Sequence, residues 1–143
     1  RRLLSWWATL VLTPLAIGCA TARTLRVQTR SGRVSVGSDQ LALLAAGGQA
    51  LTLLVGEGLV EPIILVSGYD GYIALGSTCT HLGCRVRPGR GAIICPCHGS
   101  TYNLQGAVTR GPAQRALTRY PVSIDSHGGI SVVLSPEAAE GSE

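Results

Sequence analysis

Four of the five cysteines and two of the three histidines in this chain fall within the 20 residues from Cys79 to His98. They form two boxes, Cys79-Thr80-His81-Leu82-Gly83-Cys84 and Cys95-Pro96-Cys97-His98-Gly99-Ser100. A fold open to this chain must bring the boxes together, because thiols and imidazoles at this density bind metal, cross-link, or do both. Two Cys and two His satisfy a tetrahedral zinc ion. Zinc boxes, however, pair cysteine with cysteine and histidine with histidine, whereas each box here is mixed and carries a further cysteine. Disulfides alone leave two glycine-flanked histidines without a purpose.

Around the boxes lie short β-type runs separated by turn signals. Nineteen glycines and seven prolines among 143 residues favour turns over long helices. Strands are expected at Val34–Val36, Ala50–Val55, Pro62–Ser67 and Tyr72–Leu75, and again at Ala92–Ile94, Ala107–Thr109, Arg119–Ile124 and Ile130–Leu134. Asp70-Gly71 reads as a two-residue hairpin turn, and Ser126-His127-Gly128-Gly129 as the turn before the last strand. In that turn His127 is expected to be exposed and inert. Leu41–Ala46 fits either a strand or a short helix, since so short an apolar run has no decisive period. Strands at this spacing predict an all-β antiparallel sandwich or small barrel.

Residues 3–22 carry no charge and would span roughly 30 Å as a helix, the thickness of a bilayer core. Trp6 and Trp7 suit the membrane interface near one end. Arg1-Arg2 before this run also resembles a secretion signal, and Leu15–Cys19 a lipoprotein cleavage box with Cys19 as lipid acceptor. The expectation is an uncleaved transmembrane anchor at 1–22, with Cys19 an ordinary helix residue. Residues 23–32 read as a flexible linker, 33–134 as the folded domain and 135–143 as a disordered acidic tail. Twelve arginines against eight acids give +4, of which +2 remains once 1–22 is set aside. So small an excess speaks against a nucleic-acid binder.

CTHLGC followed by CPCHGS resembles the double signature of the Rieske iron–sulfur proteins, and the likeness runs from about Tyr72 to Val122. The resemblance implies an antiparallel β-sandwich with a small cluster-binding lobe built from two loops. It implies one [2Fe–2S] cluster, with Cys79 and Cys95 on one iron and His81 and His98 on the other, and a Cys84–Cys97 disulfide. It also implies that the hydroxyls of Ser100 and Tyr102 bond to cluster sulfur, and that Gly111-Pro112-Ala113 covers the cluster's other side. Leu82 would lie exposed beside the histidines, where the family docks its partner.

Such a ligand set has a chemical consequence. Two thiolates leave an oxidised diiron core near zero charge, whereas four leave it near −2, so the mixed site accepts an electron more readily. Its potential lies at roughly −150 to +300 mV, against about −400 mV for plant-type ferredoxins. A disulfide implies an oxidising compartment, so the domain is expected on the periplasmic or outer side of its membrane.

Within the family, the run HGSTYNLQGAVTRGPA resembles the high-potential subunit of cytochrome bc/bf-type complexes. That branch implies quinol as donor, with His98 and His81 taking part in its oxidation, a cytochrome b-type membrane subunit, a c-type cytochrome acceptor and a multisubunit assembly. The alternative is the small subunit of an arsenite oxidase-like molybdenum enzyme, where the cluster only relays electrons. Rieske ferredoxins and ring oxygenases lack the disulfide pair and the anchor.

Overall fold

The structure, a computed structural model, describes residues 23–45, 51–68, 71–89 and 91–135. The expected anchor at 1–22, with Cys19, and the tail from 136 onward lie outside the described residues. Among the described residues no helix is long and apolar enough to cross a membrane.

The strands in chain order are β1 (Arg23–Arg26), β2 (Thr29–Arg30), β3 (Arg33–Val36), β4 (Leu51–Val55), β5 (Ile63–Gly68), β6 (Gly71–Gly76), β7 (Arg87–Pro88), β8 (Ile93–Ile94), β9 (Thr101–Tyr102), β10 (Val108–Arg110), β11 (Arg119–Tyr120), β12 (Val122–Ile124) and β13 (Ile130–Val133). They form three sheets, ordered β1-β4-β5-β6-β11, β12-β13-β3-β2 and β10-β9-β8-β7. Among the described residues one helix, α1 (Ser38–Ala45), follows β3. It resolves the ambiguous Leu41–Ala46 run. The side chain of Gln40 reaches back to the N–H of Gly37 at 3.3 Å, and Asp39 sits in the first turn, where the helix dipole favours a negative charge.

The run Ile63-Ile64-Leu65-Val66 explains the architecture. All four side chains are buried although successive strand residues point to opposite faces. Ile63 and Leu65 pack with Val34, Val36, Leu54, Ala74, Ile130 and Val132 in a base core. Ile64 and Val66 pack on the other face with Leu75, Val86, Ile93, Tyr102 and Leu117. The five-stranded sheet therefore lies between the β12-β13-β3-β2 sheet and a lobe, residues 77–118, inserted between β6 and β11 and built on β7–β10. An unbroken apolar strand is what coverage on both faces requires.

The all-β class holds, with three differences in detail. Residues 23–32, expected as a linker, carry β1, paired with β4 in parallel, and β2, paired with β3. These residues are polar and mostly exposed, yet their backbone completes sheet edges, which needs no apolar pattern. The β5–β6 hairpin pairs Gly68 with Gly71, so Gly71 opens β6 and is not the second turn residue. Arg119–Ile124 divides at Pro121, which has no N–H for a ladder: β11 joins one sheet and β12 another.

Candidate metal centre

The two boxes fold into the same loop. In the first, the Cys79 N–H bonds to the Cys84 carbonyl at 2.8 Å and the Gly83 N–H to the Cys79 carbonyl at 2.9 Å. In the second, the Cys95 N–H bonds to the Ser100 carbonyl at 2.8 Å and the Gly99 N–H to the Cys95 carbonyl at 3.1 Å. Gly83 and Gly99 both have φ +75°, a left-handed conformation that glycine adopts without penalty. This shared turn is why a glycine stands fifth in each box.

The loops converge at the end of the lobe's core. Cys79 and Cys95 are free and buried. The His81 and His98 rings are 4.9 Å apart between centroids and nearly perpendicular. His81 is half-buried and His98 exposed. Cys84 and Cys97 form a disulfide with Cα atoms 6.5 Å apart, as the resemblance implies. The sulfur of Cys95 lies within 4.8 Å of both disulfide sulfurs, so the bridge clamps the loops directly beside it. Those three sulfurs are not themselves a metal site, because two are joined to each other.

The remaining predicted residues gather around these donors. The Tyr102 hydroxyl is 3.3 Å from Cys79 Sγ, inside the lobe core. Ser100 is fully buried, and its oxygen accepts the Ala113 N–H at 3.0 Å, leaving its own proton to donate. This bond ties the second loop to the segment after the exposed Pro112. Burial pushes the Cys79 thiol up, but Tyr102, the His81 backbone N–H, Cys95 and Ser100 together outweigh it and hold the thiol below its ordinary range. Tyr102 is raised, by burial and then by Cys79, so its hydroxyl stays protonated as a donor. Leu82 is 70% exposed, and His127 is exposed in its turn.

Two residues emerge from the fold alone. Thr80 offers its N–H to the Tyr102 oxygen at 3.2 Å and donates its hydroxyl to the Arg115 carbonyl at 2.6 Å, so it aims Tyr102 and anchors the segment after Pro112. Glu61 braces the neck of the lobe: its carboxylate accepts Thr78 Oγ1 at 2.5 Å and the Tyr120 hydroxyl at 3.0 Å. Beside it Ser77 donates to the Pro62 carbonyl at 2.6 Å and accepts the Arg85 guanidinium at 2.7 Å. A Cβ on Gly76 would displace the Glu61 carboxylate from its place at the neck.

A [2Fe–2S] group fits this chemistry. Two buried thiols supply anionic donors, one of them already biased toward the thiolate. Two imidazoles supply neutral donors beside them, and Nδ1 of His81 is buried with no hydrogen-bond partner. A native protein rarely leaves such an atom unsatisfied, and a metal bond satisfies it.

The comparisons agree with the site. The Rieske [2Fe-2S] domain matches residues 27–121. Over 114 residues the chain is 41% identical to the cytochrome b6-f complex iron-sulfur subunit of Synechococcus sp., an alignment covering 78% of this chain and 64% of that one. Over 100 residues it is 40% identical to the chloroplastic cytochrome b6-f complex iron-sulfur subunit 1 of Nicotiana tabacum, covering 66% of this chain and 42% of that one. The chain thus spans about two fifths of the tobacco relatives' length. The soluble domain of Rieske protein II from Sulfolobus acidocaldarius matches with a TM-score of 0.57 at 26% identity, over 71% of this chain and 76% of that one. Motif, fold and donor set lead to one conclusion: the chain belongs to the Rieske [2Fe–2S] family and carries one cluster of the Rieske type.

Proposed function

We propose that this chain is the electron-transfer subunit of a cytochrome bc/bf-type complex, taking an electron and a proton from quinol and passing the electron to a c-type cytochrome. Cys79 and Cys95 hold one iron, and His81 and His98 the other. The cluster supplies a one-electron couple at relatively high potential. The single observation that carries the reading is the asymmetry of the donors: the thiols are sealed in the lobe core while the imidazoles lie toward solvent. A quinol can reach an imidazole edge from outside, whereas the sulfur side is closed by the core.

The protein's own groups have separate tasks. His81 turns its buried Nδ1 inward, which leaves Nε2 as its outer nitrogen. His98 is the more accessible ring, and its outer nitrogen accepts the hydrogen bond and then the proton of the quinol hydroxyl. Tyr102 and Ser100 donate hydrogen bonds to sulfur and so favour the reduced state. The Cys84–Cys97 bridge clamps the loops and excludes water. It also favours an oxidising compartment, the periplasmic or lumenal side of the membrane, with residues 1–22 as anchor. The relatives named as cytochrome b6-f subunits support a multisubunit assembly with a cytochrome b-type partner.

Purification from native membranes tests this reading. Haems of b and c type should accompany the chain, and a quinol-site inhibitor should change the electron-spin spectrum of the reduced protein. Molybdenum in place of haem, with no response to any such inhibitor, would replace it with the relay reading.

A further inference from the structure

The distribution of charge along the chain is uneven in a way the cluster chemistry does not require. Residues 77–118, the whole lobe, contain five arginines (Arg85, Arg87, Arg90, Arg110 and Arg115) and no Asp or Glu. The rest of the chain holds seven arginines against eight acids, so the entire net positive charge of +4 is owed to the lobe. Arg110 and Arg115 are exposed and lie close along the backbone to the ligand loops, whereas the Arg85 guanidinium turns back to Ser77 at the neck. Arg85 follows Cys84, and Arg110 pairs with Thr101, next to Ser100. The Arg115 carbonyl binds Thr80. His98, Pro112 and Leu82, in the ligand loops and the neighbouring proline segment, are exposed as well. Exposed apolar residues beside charges of one sign suit a transient protein interface, where the charges steer encounter and the apolar groups are desolvated.

We propose that this tip docks an acidic protein surface, that of the electron acceptor, and that Arg110 and Arg115 supply the steering charge. The inference rests on the reading of the lobe tip as the electron exit and adds the chemistry of its partner. Charge decides the sign of the partner, and the nearness of Arg110 and Arg115 to the ligand loops favours a redox protein over an anionic lipid surface, which takes no electron. The step is one electron leaving the protein and one ferric haem becoming ferrous, with no bond made or broken.

The test uses the full chain with its cluster, reduced by dithionite and freed of excess, and mixed with a soluble acidic c-type cytochrome or a basic one. At low salt the acidic cytochrome should be reduced on the order of tenfold faster, and the difference should close as ionic strength rises past the point where the Debye length falls below about 10 Å. Arg110→Gln/Arg115→Gln should remove most of that advantage. Arg30→Gln/Arg33→Gln, on the base, should leave it intact. Equal rates, a faster basic cytochrome, or an unchanged advantage in the lobe variant would overturn the proposal. So would a lobe variant that loses only its binding to phosphatidylglycerol vesicles, which would assign the patch to lipid. Ferricyanide separates this failure from the failure of the underlying reading: if the reduced protein cannot reduce ferricyanide either, the electron-transfer function itself is at fault.

Discussion

The base and the lobe are stabilised by different means. In the base, six of the nine strands are four to six residues long, and their apolar residues fill a core with few polar groups. In the lobe the strands are two or three residues long, and loop hydrogen bonds and a disulfide join the segments between them. A sheet so short buries too little to hold two irregular loops by packing alone. Cross-links supply the rest, and they are the same groups that carry the chemistry. The base is therefore expected to fold without the cofactor, and the lobe to depend on it for its order.

The largest effect is expected from removing one of the four proposed donors. Cys95→Ser should abolish the cluster's electron-spin signal and its iron content. Amide exchange should then accelerate throughout 77–118 and stay slow in β5 and β6. Exchange that accelerated equally in both regions would mean that they unfold as one unit.

Ile64 and Leu65 are adjacent but face different cores. Replacing either with Ala should cost roughly 2–5 kcal/mol in chemical unfolding. Ile64→Ala should loosen the lobe first, and Leu65→Ala the β3 and β13 amides. Identical exchange patterns would deny two separate cores.

At the neck, burial and then the Glu61 carboxylate push Tyr120 up to about 12. Below the ordinary tyrosine range the group is neutral in both folded and unfolded chains, and its contribution is intact. From about pH 10 the unfolded chain loses the proton while the folded one keeps it, so stability falls until the pH passes about 12. The loss is on the order of 2 kcal/mol over that window. Tyr120→Phe should flatten the slope; an unchanged slope would place the alkaline loss elsewhere.

The smallest effect is electronic. Ser100→Ala should retain the cluster and lower its midpoint potential by roughly 60 mV, about tenfold in a one-electron equilibrium. An unchanged voltammogram would reduce Ser100 to a purely structural tie to Ala113.

Legibility in the sequence follows the same division. Strands of the base core were readable because Val34 and Val36, or Ile63 through Val66, had to be buried. The meeting of the two boxes was readable because cysteines and histidines in that pattern suit few other purposes, and the fold brings them together. Arg23–Arg26 was not, since an edge strand held by its backbone looks like a polar linker. Thr101–Tyr102 was too short to show a period. Glu61 left no local signal: it stands 17 positions before Thr78 and 59 before Tyr120, and only the folded sheet brings the three together.

The most direct measurement of the central claim is metal and sulfide analysis of the native chain, joined to nitrogen hyperfine spectroscopy of its reduced form. Iron and acid-labile sulfide should be present in equal amounts, with two imidazole nitrogens coupled to the spin. Zinc in place of iron, or an iron centre coupled to no nitrogen, would contradict it.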